Sequence, residues 1–243
     1  MPTVLILGAT SDIAQAIARE LAASQYDLIL AARNMNYIKR IQKDIQIRYG
    51  VRVKPMYFDA TSYEQHADFI RQIEVIPELV IVCFGYLGEQ KTAQANWEEA
   101  YQILATNYIG AVSILNPIAQ EMEQRKRGII VGISSVAGER GRKSNYLYGS
   151  AKAGFTAYLS GLRNRLYASG VHVLTVKPGY VNTKMTENKD LPKILTTTPE
   201  KVARNICRAI RRKKNALYVK RIWWLVMLII KCIPESIFKK LNL

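Results

Sequence analysis

A chain of 243 residues with 49% apolar content can bury the core of one large α/β domain and is not globally disordered. Three scattered cysteines (Cys83, Cys207, Cys232) without a CxxC pair exclude a disulfide framework and a zinc site. Two histidines (His66, His172) leave little for metal or triad chemistry. The net charge of +16 is uneven: residues 201–243 hold twelve Lys or Arg and a single acid, Glu235, which fits either an anionic surface or a solvated basic face.

Along the chain, strand and helix patterns alternate. Val4–Gly8 is an apolar run broken by glycine, followed by Ile13, Ala16, Ile17 and Leu21 at helical spacing. Leu28–Ala32 reads as a strand and 34–49 as a helix. Val51–Phe58 reads as a third strand, 63–73 as a helix and Leu79–Phe84 as a fourth strand. One long helix is expected over 96–124, before strand Gly128–Ser134, and another over 146–169, before strand Val171–Val176. This alternation predicts a Rossmann-type, doubly wound parallel sheet with helices on both faces, in a single domain over 1–220 followed by a tail, 221–243. Ligands on such sheets sit at the carboxyl ends of the strands. The N-terminus enters an apolar strand without a basic leader, so no secretory signal is expected; with the unpaired cysteines this favours a reducing, cytoplasmic setting.

The first strand–helix turn, Gly8-Ala-Thr10-Ser11-Asp12-Ile13-Ala14, suits a pyrophosphate. Gly8 permits a tight turn, the helix start offers free amides, and Thr10 and Ser11 offer hydroxyls. Asp12 and Ala14 replace the second and third glycines of a dinucleotide fingerprint, and Ser11 or Asp12 also suits an ordinary N-cap. The second strand ends in Ala31-Ala32-Arg33, without the carboxylate that grips a ribose 2′-hydroxyl. Arg33 suits a 2′-phosphate, which favours NADP(H) and leaves NAD(H) open. Asp59 can accept from an adenine amino group or cap the next helix.

Tyr148 and Lys152 lie four residues apart, one helical turn, with Ser135 thirteen residues upstream beyond the fifth strand. A neighbouring ammonium is expected to draw the phenol pKa toward neutrality for proton transfer, while the serine hydroxyl polarises a carbonyl. With these motifs, with Asn107 in Asn-Tyr-Ile-Gly110, and with Pro178-Gly179 and Thr183 after strand six, residues 3 to about 220 resemble the short-chain dehydrogenase/reductase family. The resemblance implies an oxidoreductase in which Tyr148 exchanges a proton with the substrate oxygen and Lys152 tunes that tyrosine and holds the nicotinamide ribose. It further implies that Ser135 orients the carbonyl, Asn107 positions a water and Thr183 contacts the nicotinamide amide. The cofactor positions it implies are Gly8, Thr10, Ser11, Asp12, Ile13, Arg33, Asp59, Ala60, Gly85, Tyr148, Lys152, Pro178, Gly179, Val181 and Thr183, with a homo-oligomer built on the two long helices and no metal. Cys83-Phe84-Gly85 departs from the family's Asn-Ala-Gly, and Cys83 is expected to be a buried filler.

A narrower similarity, in residues 137–145 and 233–241, is to reductases that complete the 2′-epimerisation of decaprenylphosphoryl-ribose. It implies a lipid-phosphate keto-sugar substrate, a partner flavoprotein oxidase and a role in cell-wall biosynthesis. Arg140, Arg142 and Lys143, between the serine and the tyrosine, then become candidates for binding the phosphate, the alternative being a solvated basic loop. General reduction of a lipid-like or small carbonyl, and non-enzymatic cofactor binding, are the other readings. In the tail, Ile222–Ile230 is nine apolar residues flanked by Lys220, Arg221 and Lys231. As a helix it rises roughly 14 Å, too short to span a hydrocarbon core of about 30 Å. Two readings stand: an interfacial segment that places Trp223 and Trp224 at an anionic membrane surface on the cytoplasmic side, or a helix packed on the protein or a dimer partner. No nucleic-acid-binding motif accompanies the charge.

Overall fold

The computed structural model describes residues 1–187 and 190–242. The chain runs β1 (Thr3–Leu7), α1 (Asp12–Ala23), β2 (Asp27–Ala32), α2 (Met35–Tyr49), β3 (Val53–Tyr57), α3 (His66–Arg71) and β4 (Leu79–Val82). It continues through α4 (Gln90–Ala95), α5 (Trp97–Leu104), α6 (Gly110–Gln124), β5 (Ile129–Ile133), α7 (Tyr146–Leu166) and β6 (His172–Pro178). A two-stranded ribbon of β7 (Tyr180–Val181) and β8 (Thr196–Thr197) precedes α8 (Pro199–Arg211), β9 (Ala216–Val219), α9 (Ile222–Cys232) and α10 (Glu235–Phe238).

Seven strands form one sheet in the order β3-β2-β1-β4-β5-β6-β9, every neighbouring pair parallel. Parallel strands covered on both faces bury every side chain, which is why β1, β2 and β4 read as continuous apolar runs. Alternate residues part to opposite cores. Val4 and Ile6 pack with α1, α2 and α8, and Leu5 and Leu7 pack with α3, α6 and α7. The order reverses between β1 and β4, so the crevice between their carboxyl ends is where a ligand is received.

Two readings of the pattern need revision. The expected helix over 96–124 is interrupted by a π turn at Ala105–Ile109, between α5 and α6. Inside it, Asn107 donates to the Ile103 carbonyl at 2.8 Å, and its side chain reaches out of the helix to Tyr86. Such bulges displace one residue toward a site. The helix expected over 63–73 shrinks to a 3-10 turn followed by α3. Beyond the sixth strand, Thr198-Pro199 starts α8, with Thr198 as N-cap and proline in the first turn.

The tail folds back onto the domain. Trp223 and Met227 are buried with Val136, against Tyr180, Leu195 and Tyr218. A Cβ on Gly179 would lie inside the Trp223 indole, whose Nε1 donates to the Leu195 carbonyl at 3.0 Å. This corrects the expectation that both tryptophans reach a membrane interface: Trp223 is 3% exposed, and Trp224 is 55% exposed. Among the described residues no helix is long and apolar enough to cross a membrane.

Candidate active site

The candidate cofactor turn is built on one position that only glycine can fill without strain. Gly8 has φ 84°, and a Cβ there would stand 2.5 Å from the backbone nitrogen of Phe84. Its N–H and that of Ala9 both donate to the Ala31 carbonyl, which fixes the turn to β2. Ser11 is the N-cap of α1, accepting from Ala14 N at 3.2 Å. The helix therefore begins by presenting the amides of Asp12 and Ile13 to the cleft, a ready seat for a pyrophosphate. Ser11 Oγ also lies 3.4 Å from both Cys83 Sγ and the Cys83 carbonyl, and Cys83 N donates to Leu7 O. These contacts tie the start of α1 and the end of β1 to the residue after β4. Burial pushes the Cys83 thiol up to about 11, so it is unreactive filler.

At the carboxyl end of β5, Ser135 leaves the sheet and α7 brings Tyr148 and Lys152 beneath it. Burial pushes the Tyr148 phenol up to about 12, and a hydrogen bond with Ser135 partly offsets this. Burial thus outweighs the Lys152 cation, and the phenol lies above its ordinary value rather than toward neutrality, contrary to the sequence expectation. Lys152 Nζ donates to Ile133 O at 3.1 Å and stands 5.7 Å from the Tyr148 ring centre. Burial lowers the Lys152 pKa itself to about 8. Asn107, 1% exposed, donates through Nδ2 to Tyr86 O at 2.6 Å and accepts from Tyr86 N at 3.3 Å. A Cβ on Gly85 would lie 2.9 Å from Asn107 Oδ1 and 3.5 Å from Lys152 Nζ, so only glycine lets these groups close up. A protonated phenol, a hydroxyl beside it and a buried amine behind it can protonate a carbonyl oxygen while negative charge develops there.

Comparison with known proteins agrees with this geometry. The family model for short chain dehydrogenases matches residues 2–193. The chain belongs to the short-chain dehydrogenase family. It is 32% identical over 241 residues to an uncharacterized oxidoreductase of Mycobacterium tuberculosis, covering 98% of this chain and 96% of that protein. It is 34% identical over 242 residues to an uncharacterized oxidoreductase of Streptomyces coelicolor, covering 98% and 95%. A short-chain dehydrogenase from Sphingobium yanoikuyae in complex with NADPH superposes with a TM-score of 0.83 at 22% identity, over 97% of this chain and 98% of that one; this likeness speaks for the fold. The protein is thus an oxidoreductase with a fold that binds a nicotinamide dinucleotide.

In this short-chain dehydrogenase one cleft gathers Thr10, Ser11, Asp12, Ile13, Gly85, Ser135, Tyr148, Lys152, Pro178, Gly179, Val181 and Thr183. Gly8 lies beneath it, and Ala60, behind it, packs its carbonyl against Gly110, where a Cβ would overlap that oxygen. Arg33 is exposed at the end of β2 and makes no ion pair among the described residues, which leaves its guanidinium available to a 2′-phosphate. Asp59 Oδ1 is taken by Thr61, accepting from its N at 2.9 Å and its Oγ1 at 2.8 Å. Asp12 does more than line the cleft: its carboxylate accepts from Lys184 N at 2.8 Å and fastens the loop after β7 to the start of α1. Thr183, on that loop, caps a 3-10 turn in a reciprocal box with Thr186.

The three candidate phosphate cations separate. Arg142 lines the cleft, with a buried Nε that lacks a partner among the described residues. Arg140 is committed elsewhere: its guanidinium donates to the carbonyls of Ile230 and Ile233 at 2.5 and 2.7 Å, pairs with Glu235 and stacks on Phe238. Lys143 donates to Asn242 Oδ1 at 3.2 Å. Arg140 binds the tail because the open carbonyls at the C-terminus of α9 attract cations, whereas Lys143 meets a side-chain amide. Glu139 completes this clamp, its buried carboxylate bonded to Lys177, Lys231 and Tyr218. Trp223, which the sequence reading placed at a membrane interface, lines the cleft from the tail. Its only local signal was an apolar helix, and the bare Gly179 that receives it lies 44 residues upstream. Among the described residues no group of His, Cys, Asp or Glu could hold a metal.

Proposed function

We propose that this short-chain dehydrogenase is an NADPH-dependent carbonyl reductase, acting on a keto sugar carried by a polyprenyl phosphate. The observation that carries the reductase reading is the placement of Tyr148 and Ser135 in one cleft, with buried Lys152 one turn along α7. The dinucleotide would be held by the amides at the start of α1, by Thr183 and Lys152 near its nicotinamide end, and by Arg33 at its 2′-phosphate. When bound, it supplies the hydride. Ser135 Oγ orients the carbonyl, Tyr148 donates its proton to the carbonyl oxygen, and the Lys152 ammonium steadies the phenolate left behind. Asn107, fixed by Tyr86 and Ile103, holds the π turn against Lys152 and would carry the water through which the proton is replaced.

Support for the substrate class comes from the cleft walls, which combine Leu87, Val136, Met185 and Trp223 with the cation Arg142, besides Lys152 and Lys184. A ketone near a phosphate, with an apolar extension, suits that lining. The same reading includes a flavoprotein oxidase that supplies the ketone, a role in cell-wall biosynthesis, a homo-oligomer through α6 and α7, and a place at the inner face of a membrane. General reduction of a small or lipid-like carbonyl is the second reading, favoured by Arg140 and Lys143 having turned away. Following NADPH oxidation with the phosphorylated keto sugar and with a neutral ketone separates the two. Arg142→Ala is expected to raise KM about tenfold or more for the phosphate alone. Tyr148→Phe is expected to abolish turnover of both ketones while NADPH still binds. Near-normal turnover by the phenylalanine variant would overturn the chemistry, and equal KM changes for both ketones would overturn the phosphate.

A further inference from the structure

We infer that the outer face of α9 and α10 is a docking surface for an anionic lipid bilayer. The helix Ile222–Cys232 is apolar on all sides apart from Lys231. A helix of that kind needs an apolar environment all round. The protein supplies it on one side only: Trp223 and Met227, one turn apart, are buried against Val136 and Tyr180. On the opposite side Trp224, Leu225, Leu228 and Ile229 are 41–57% exposed. After the turn at Pro234 the chain adds Ile237 and Leu241, 53% and 39% exposed, on the same side. A groove runs between these segments, lined by Leu228, Ile229, Cys232, Ile233, Ile237 and Leu241 together with the proline, without a charged side chain. Six large apolar side chains exposed together are a binding face rather than scattered surface residues.

Charge selects the occupant. Glu235 is the one acid after residue 200, and Arg140 pairs with it at 2.9 Å. Arg221, at the start of α9, and Lys239 and Lys240, after α10, are exposed and make no ion pair among the described residues. An apolar face edged by free cations matches the boundary between acyl chains and anionic headgroups. It matches a second copy of this chain poorly, since a symmetric pairing would bring like charges together. As a helix α9 is roughly 16 Å long, so it lies in the interface and does not cross it. The buried side of the same helix places Trp223 in the cleft wall, so docking would set the cleft close to lipid. This assignment deepens the membrane setting of the proposed function, and it stands or falls apart from the reductase chemistry because vesicle binding is read without turnover.

The test uses the full chain with NADPH, co-sedimented with phosphatidylglycerol or phosphatidylcholine vesicles. Binding is expected to be about tenfold or more stronger to phosphatidylglycerol at low salt, and to fade near 0.5 M salt, where the screening length is about 4 Å. Trp224 fluorescence should shift to the blue on binding, and Trp224→Phe should lose that shift. Leu228→Glu with Ile229→Glu should cut binding about tenfold and leave thermal unfolding unchanged, because both side chains lie outside the core. Lack of binding at low salt would overturn the proposal. So would binding that the glutamates leave intact, which would reduce the effect to charge alone. A dimer dissolved by the same glutamates, with vesicles ignored, would assign the face to a second copy instead.

Discussion

Replacing Arg140 with alanine removes several contacts of the tail at once. Its Nη1 donates to the carbonyls of Ile230, Ile233 and Lys231, its Nη2 pairs with Glu235, and the guanidinium lies 3.6 Å from the centre of the Phe238 ring. Glu235 is 77% exposed, so the ion pair contributes at most about 1 kcal/mol. The two shortest carbonyl contacts are charge-assisted and contribute about 1.5 kcal/mol or more each, less what refilling water recovers. The cation over the ring adds about 0.5–1 kcal/mol. These terms overlap, and a net loss of roughly 2–4 kcal/mol is expected. In a domain of this length that lowers Tm by roughly 5–15 °C. Arg140→Lys should recover less than half, because an ammonium meets Glu235 but cannot fork across two carbonyls. Thermal unfolding should be measured beside KM for the ketone. A KM that rises while Tm stays put would refute this reasoning and return Arg140 to the substrate.

Three further outcomes follow from the cleft. Arg33→Ala should weaken NADPH binding by about 1.5–3 kcal/mol and leave NADH nearly unchanged in direct titration; equal losses for both would show that Arg33 supports the fold. Lys152, held down to about 8, carries its charge below that pH, so kcat/KM for ketone reduction should hold there and fall as pH rises through it. Stability moves the other way. Between about 8 and the ordinary 10.5 the unfolded chain binds more protons than the folded one, so the unfolding free energy rises with pH in that window. A pH-rate profile flat to about pH 9.5 would show that Lys152 does not set it.

Much of the fold was legible because its signals are local. The turn at Gly8 was legible too, because a glycine after an apolar run needs no distant partner. The spacing of Tyr148 and Lys152 set them one turn apart on a single helix, whatever the rest of the chain does. The direction of the Tyr148 pKa was not legible. Burial outweighs a cation whose Nζ is committed to Ile133 O, and neither burial nor that commitment is visible in a YxxxK spacing. The π turn at Asn107 escaped for a similar reason, since it is tied to the backbone of Tyr86, 21 residues away.

The sequence by itself determined the alternating architecture, the glycine turn after the first strand and the one-turn spacing of Tyr148 and Lys152, since helical and strand periodicity and capping act within a few residues. Only the tertiary structure decided what the tail and the basic loop do. Ala216–Val219 is too short and too closely flanked by lysines to announce itself, yet it completes the sheet beside β6. Arg140 and the carbonyl of Ile230 are 90 residues apart, and Trp223 finds its place only because Gly179 has no side chain. Whether a cation faces a substrate or a helix end, and whether a tryptophan faces solvent or a cleft, depends on which distant backbone arrives beside it. Those contacts exist only once the sheet has closed.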